Sequence, residues 1–230
     1  MSPPLIAVIV PVLDEEAALP GALDHLSDQD PCLEVIVVDG GSRDDTVAIA
    51  RSHPLRPAVL VEPGGRARQL NLGAAAARAA LLCFLHADSR LPPDGIASLR
   101  AALRDPGLIG GNFDLRFDGT DRFSRLLTAW YAVQRRAGIY YGDSTVWVRA
   151  AAFTALGGHR ELPIMDDYDF VRRMERHGRT ACLPGPATTS PRRWQALGVP
   201  RTVLSWVAIR WLWVAGVPAD RLARLYGAIR

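Results

Sequence analysis

Four short runs, LIAVIV (residues 5–10), LEVIVV (33–38), AVLV (58–61) and LLCFL (81–85), are too continuously apolar for half-exposed strands, Glu34 being their one polar residue. A strand with one wet face alternates apolar and polar residues, because successive side chains point to opposite sides; a strand apolar at every position has both faces covered. Segments of helical character lie between the runs, over residues 16–26, 45–52 and 66–80, with Asp or Thr near several starts. This alternation predicts a parallel sheet with helices on both faces. Beyond residue 105 the pattern changes to a strand over 110–117, a helix over 121–136, a strand over 145–149 and a helix over 166–177, a mixed half with antiparallel pieces. No repeat or low-complexity linker separates the halves. The fold class is therefore α/β, a single domain with a mostly parallel central sheet, a mixed second half and a C-terminal helical segment. Residues 1–200 form the domain and 201–230 an extension packed on it or lying at a membrane surface.

Composition removes several functions. All 27 basic residues are arginine, so neither a Schiff-base lysine nor a phosphate-loop lysine exists. A net charge of +3 is too small to indicate a nucleic-acid partner. Cys32, Cys83 and Cys182 are widely spaced and mostly in apolar surroundings, which argues against a disulfide framework or zinc site and fits a reducing cytoplasm. The N-terminus lacks a basic region before its first apolar run, so no signal peptide is expected. The segment over 203–217 carries three tryptophans, is interrupted by Arg210, and is too short to span a bilayer. It reads as a helix packed on the domain, as an interfacial helix with tryptophans at headgroup level, or as a dimer contact.

Three of the strands end in acid: Asp14-Glu15-Glu16, Asp39 and Asp88. Ligands of open α/β sheets sit outside the carboxyl ends of strands, so these acids are expected at one crevice. Asp39 is followed by Gly40-Gly41, which lets the chain turn sharply toward a flat ligand, and suits a base or ribose contact. His86 and Asp88, two residues apart on an extended chain, point the same way. Asp88 suits Mg²⁺ or Mn²⁺, and Mn²⁺ also tolerates the imidazole; a hydrogen-bonded strand-end histidine is the other reading of His86. Asp166, Asp167 and Asp169 open a helix, where acids favour the dipole, or alternatively supply a carboxylate that takes a proton from a hydroxyl nucleophile. Arg192-Arg193-Trp194 offers forked donors to a diphosphate or is a surface arginine pair.

IVPVLDEE, VVDGGSRDDT, LHADS and GGHRELPIMDDYDF stand in an order and spacing that resemble the family 2 glycosyltransferases, inverting enzymes of GT-A type that use nucleotide-diphospho sugars. A GRARQLN segment (65–71) and a terminal SPRRW resemble the short bacterial subgroup associated with radical-SAM and selenium-related genes. The resemblance spans nearly the whole chain. It implies that Pro11 and Glu15 line the donor nucleotide pocket, that Asp39 contacts base or ribose, and that Arg66, Gln69 and Asn71 lie near the nucleotide. It implies that Asp88 is the last acid of a metal-binding DxD motif whose first acid is replaced here by His86. Asp166-Asp167 then matches the family's acid pair with Asp167 as catalytic base, and Arg192, Arg193 and Trp194 lie near the diphosphate.

The function expected is metal-assisted transfer of a sugar, from a UDP-sugar by the family's habit, to an acceptor hydroxyl with inversion. The cofactor is a divalent cation, Mg²⁺ or Mn²⁺. The partners are the nucleotide-sugar donor, an acceptor left open between soluble and lipid-linked, and a membrane touched peripherally through 203–217, which would place a cytoplasmic protein on the inner face of the cell membrane. The rival readings are a nucleotidyltransferase, which usually has a glycine-rich basic loop where this chain has VPVLDEE, and a non-catalytic nucleotide-sugar or lipid-binding module.

Overall fold

The computed structural model describes residues 5–30, 33–119, 121–189 and 199–229. Eight strands form one sheet in the order β3-β2-β1-β4-β7-β6-β8-β5. β1 (Ile6–Val12), β2 (Glu34–Asp39), β3 (Ala58–Val61) and β4 (Leu81–Phe84) are mutually parallel, as their apolar runs predict. Alternate residues of these strands enter different cores. Val8, Val10, Val37 and Cys83 pack with Leu19, Leu23 and Leu26 of α1 (Leu19–Gln29) and with Ile96 and Leu99 of α4 (Gly95–Leu103). Ile9, Ile36, Val38 and Phe84 face the other way, onto Leu70 of α3 (Arg66–Ala76), Phe153 of α6 (Ala150–Ala155) and Phe170 and Met174 of α7 (Asp166–His177). Burial on both faces removes the alternation in β1, β2 and β4, whereas β3 departs from the expectation: it is the edge strand of the sheet, with Ala58 and Val61 exposed and Val59 and Leu60 half-buried.

The second half is mixed. β7 (Trp147–Arg149) runs antiparallel to both β4 and β6 (Leu108–Phe117), β6 runs parallel to β8 (Arg179–Thr189), and the short β5 (Ser89–Arg90) is antiparallel to β8. Helix α1 starts three residues later than expected because Pro20 sits in its first turn, where a missing N–H costs nothing. Helix α3 ends at Ala76 rather than at residue 80. Strand β8 has no counterpart in the sequence reading. Its Pro184-Gly185-Pro186 argues against a strand, but the ladder to β6 steps from Phe113–Leu183 to Leu115–Ala187, so the three residues occupy an irregularity that needs no ladder donor. Helices α2 (Thr46–Ser52) and α5 (Arg122–Arg136) lie where expected, and Asp121 caps α5 by accepting from the Ser124 N–H at 2.9 Å.

The apolar 203–217 segment belongs to α8 (Val199–Val214), followed by α9 (Ala219–Ile229). Trp206 of α8 packs against the cluster of Leu115, Phe117 and Leu127, while Ile209 packs with Leu222 of α9, Met165 and Tyr168. No helix among the described residues is long and apolar enough to cross a membrane.

Candidate active site

The carboxyl ends of β1, β2 and β4 open onto a cleft of about 2030 Å³, closed on the far side by α5, the N-terminus of α7, and α8. Pro11, Glu15, Arg66, Gln69, His86, Asp88, Asp166 and Asp167 all line it, so most of the residues singled out by sequence converge.

Three others, Asp39, Asn71 and Asp169, have other duties. Asp39 is buried, and its carboxylate accepts from the N–H of Gly41 at 2.9 Å, from the N–H of Ser42 and from the Ser42 hydroxyl. Gly41 makes this possible with a φ of 96°, and Asp39 thereby fixes the loop instead of lining the cleft; Gly40 is the lining residue there. Asn71 is turned away as well. Its amide donates to the carbonyl of His159 and accepts from the His159 N–H, both at 2.8 Å, which clamps a bend 88 residues distant. Gln69 does both jobs, reaching the cleft while its Nε2 donates to the carbonyls of Val12 and Val38 at 2.9 and 2.8 Å, tying β1 to β2. Asp169 is held by Arg160 and Arg173 at 3.1 and 2.8 Å. Arg192, Arg193 and Trp194 lie outside the described residues.

Arg66, 100 residues from the acid pair in sequence, organises its charge. Its Nε and Nη2 grip the two oxygens of Asp166 at 3.2 and 2.7 Å, its Nη2 lies 3.4 Å from Asp167 Oδ2, and its Nη1 lies 3.5 Å from Nε2 of His86. Asp167 further accepts from the N–H of Gly142 at 2.9 Å and from its neighbour Tyr168 at 2.7 Å. Burial pushes the Asp166 carboxyl up from its ordinary value despite the opposing Arg66. Burial works against ionisation of Asp167 too, but Arg66, the two N–H groups and His86 outweigh it and hold that carboxyl below its ordinary value. The pair therefore presents one ionised, oriented carboxylate to the cleft beside a partner locked to arginine.

Three elements of this arrangement lay outside the sequence reading. Met165 adopts a left-handed conformation, φ 65°, just before α7, a strained position for a non-glycine residue that sets how the helix start meets the cleft. Gly142, in a short turn over Gly142–Ser144, leaves little room for a side chain: a Cβ there would come within 3.3 Å of Asp167 Oδ2 and 3.4 Å of His86 Nε2. The glycine between two tyrosines and an aspartate in YYGDS is the only sequence signal for it. His159 is buried beneath the pair, stacked on Phe170 at 4.3 Å and edge-on to Phe84 at 5.3 Å. Burial, reinforced by Arg66, lowers its imidazole to about 3, so the ring stays neutral.

Among the described residues no cluster of three or more His, Cys, Asp or Glu side chains is arranged to hold a metal. Nε2 of His86 lies 3.5 Å from the Arg66 guanidinium, a poor setting for a cation ligand. Asp88 lines the cleft, half-buried, and one carboxylate is enough where the donor's own phosphates complete the coordination.

Several solved structures share the fold. A mannosyltransferase from Pyrobaculum calidifontis in complex with GDP-Man and Mn²⁺ superposes with a TM-score of 0.63 at 23% identity, covering 82% of this chain and 57% of that one. S. aureus TarS 1-349 in complex with UDP-GlcNAc does so with a TM-score of 0.66 at 16% identity, covering 81% and 58%. Among curated sequences, an uncharacterized Mycobacterium tuberculosis protein, MT1568, is 31% identical over 214 residues, 79% of this chain and 65% of its own length. An undecaprenyl-phosphate 4-deoxy-4-formamido-L-arabinose transferase of Aeromonas hydrophila is 29% identical over 160 residues, 64% of this chain and 48% of its own. The chain thus spans about half to two thirds of the length of these relatives. Residues 7–157, from the first strand through the turn that precedes His159, match the Glycosyl transferase family 2 model, and to that family this chain belongs.

Proposed function

We propose that the protein moves a sugar from a nucleotide-diphospho sugar, a UDP-sugar by preference, to an acceptor hydroxyl with inversion at the anomeric carbon, and that it falls in the short subgroup marked by the GRARQLN segment. The observation that carries this reading is the Asp167 carboxylate, ionised and fixed by Gly142, Tyr168 and Arg66, opening on the same cleft as Glu15 and Asp88. Asp167 takes the proton of the acceptor hydroxyl as that oxygen attacks the anomeric carbon; the bond from that carbon to the diphosphate breaks, and a nucleoside diphosphate leaves. One-step displacement from the face opposite the leaving group inverts the centre. Arg66 keeps the acid pair from carrying two uncompensated charges before substrate arrives. Pro11, Glu15, Gly40 and Gln69 shape the donor end of the cleft.

Asp88 would hold a divalent cation against the donor diphosphate, and such an ion offsets the negative charge that develops on the leaving group. An acceptor carried on a lipid fits the relative named for undecaprenyl-phosphate and the apolar side chains of α5 and α8 that line the far end of the cleft.

Incubation with radiolabelled UDP-, GDP- and dTDP-sugars, Mn²⁺ and a bacterial lipid extract tests the reading. Release of nucleoside diphosphate with label moving into acceptor is expected; pyrophosphate would assign nucleotidyl transfer, and binding without turnover a non-catalytic module.

A further inference from the structure

We infer that α5 and α8 together form a docking surface for an anionic lipid bilayer, with the open, apolar end of the cleft turned toward the lipid. Among the described residues, large exposed hydrophobic side chains concentrate on these two helices. Leu126, Trp130 and Val133 of α5 are 68, 54 and 55% exposed, and Leu204, Val207, Trp211 and Val214 of α8 are 71, 46, 69 and 62% exposed. The first set recurs at i, i+4 and i+7 and the second at i, i+3, i+7 and i+10, so each makes one stripe along its helix. The inward faces are already used: Ser124, Leu127 and Gln134 of α5 and Thr202, Ser205 and Ile209 of α8 are buried. The helices are neighbours, since Trp206 of α8 packs against the cluster that holds Leu127 of α5, and Arg210 donates to the Gln134 side chain.

Charge complementarity chooses the occupant. The three helices α5, α8 and α9 contain eight arginines and one acid, Asp220, in a chain whose totals are 27 basic and 24 acidic residues, so the remainder of the chain is net acidic. Arg122, Arg125, Arg136, Arg201, Arg221 and Arg224 are exposed. Apolar stripes with tryptophan, flanked by arginine, are what an interfacial helix presents to anionic headgroups, and two copies of so basic a face would repel each other. The stripes are also continuous with the site, because Trp130, Val133, Val207 and Trp211 line the same cleft as Asp88 and Asp167. At about 2030 Å³ that cleft exceeds the roughly 300–1,000 Å³ of an ordinary small-molecule pocket, leaving an apolar arm beyond the donor. From sequence, membrane contact is expected on 203–217 alone. The structure instead divides that segment, with Trp206 and Ile209 packed inward and Trp211 outward, and adds α5 to the surface.

The inference deepens the proposed function by saying where a lipid-borne acceptor is presented, and rests on that reading for the acceptor only. Docking is measured on the full chain without donor or acceptor, by co-sedimentation with vesicles of phosphatidylglycerol and phosphatidylcholine or of phosphatidylcholine alone. Binding to the anionic vesicles at least about tenfold tighter than to the neutral ones, and weakening with salt, is expected. Arg122→Gln, Arg125→Gln and Arg201→Gln should each weaken it about fivefold. Leu126→Glu with Leu204→Glu, exposed positions outside the cleft lining, should remove it while circular dichroism and Tm stay those of the parent. No binding to anionic vesicles overturns the inference, whether the protein is then a monomer or a dimer, the latter assigning the face to a second copy. Binding undiminished in the double glutamate variant overturns it too. Vesicle binding without sugar turnover would sink the transfer reading alone, and turnover without vesicle binding the docking alone.

Discussion

Two acid-rich regions border the cleft, and they use their carboxylates in opposite ways. In the loops after β1 and β2 the acids bind backbone: Asp14 accepts from the N–H of Arg43 at 2.8 Å, Glu16 from that of Asp45 at 3.2 Å, Asp44 from those of Glu16 and Thr46, and Asp39 from Gly41 and Ser42. These charges knit two loops into one rigid rim. At the start of α7 the acids instead bind across the molecule, to Arg66 on α3 and to the N–H of Gly142, and Asp167 stays at the cleft wall. The rim carboxylates are satisfied by the backbone of the two loops they join, whereas Asp167 is balanced by Arg66 and two N–H groups at the wall of the cleft itself.

The sharpest way to break this comparison is Asp167→Asn, which keeps the shape and removes the proton acceptor proposed above. A fall in kcat of about 10²–10⁴-fold is expected, with donor affinity by titration little changed. Retained turnover would move the base elsewhere and leave the α7 acids as a second structural cluster.

Arg66→Gln tests the cross-molecule balance. The Arg66 side chain is 35% exposed, so solvent screens part of the loss, and a destabilisation of about 2 kcal/mol at neutral pH is expected, together with loss of turnover. Its pH dependence carries the sign. Asp167 is held below its ordinary value, so it contributes stability above that value and loses it as the pH falls through the folded one; Asp166, raised by burial, works in the opposite sense. Without Arg66 both carboxyls move up. The gap in denaturation midpoint between parent and variant should therefore be largest at neutral pH and shrink as the pH drops into the carboxylate range. A gap independent of pH would mean that Arg66 acts by packing.

Much of this was legible in sequence, for physical reasons. The doubly covered sheet follows from runs such as LIAVIV, where both faces must be dry, and the strand-end position of Glu15 and Asp88 follows from where those runs stop. The contact of Arg66 with Asp166 was not legible, since no local period links residues 100 apart, and a GRARQLN segment reads equally well as donor contact or as clamp. Asn71 shows the same limit, because its target is the backbone of His159, which carries no side-chain signature. The two fates of a strand-end acid were separable in part. Asp39 is followed by Gly-Gly-Ser, a sequence suited to turning N–H groups back onto the carboxylate, whereas Asp88 is followed by Ser-Arg and enters β5.

Gly142→Ala sharpens the comparison at the active end. The new Cβ would press on Asp167 Oδ2 and His86 Nε2 at 3.3 and 3.4 Å, displacing the base by a few tenths of an ångström without straining the backbone. A loss in kcat of about tenfold is expected with KM for the donor and Tm nearly constant, since misplacement of a catalytic group is felt in the rate before it is felt in the fold.

Asp39→Asn is the smallest change and the cleanest probe of the structural end. The side chain keeps one oxygen to accept from Gly41 or Ser42, but its new NH₂ would face the remaining donors, and the charge that strengthens these bonds is gone. A destabilisation of about 1 kcal/mol is expected by denaturant titration. Donor affinity should fall only as far as the rim loosens, because Asp39 is buried and does not line the cleft, whereas Gly40 and Glu15 do. A variant of parental stability that no longer binds nucleotide sugar would give Asp39 the base or ribose contact that its sequence position suggests. The division between loop-bound and cross-bound acids would then fail at its most buried member.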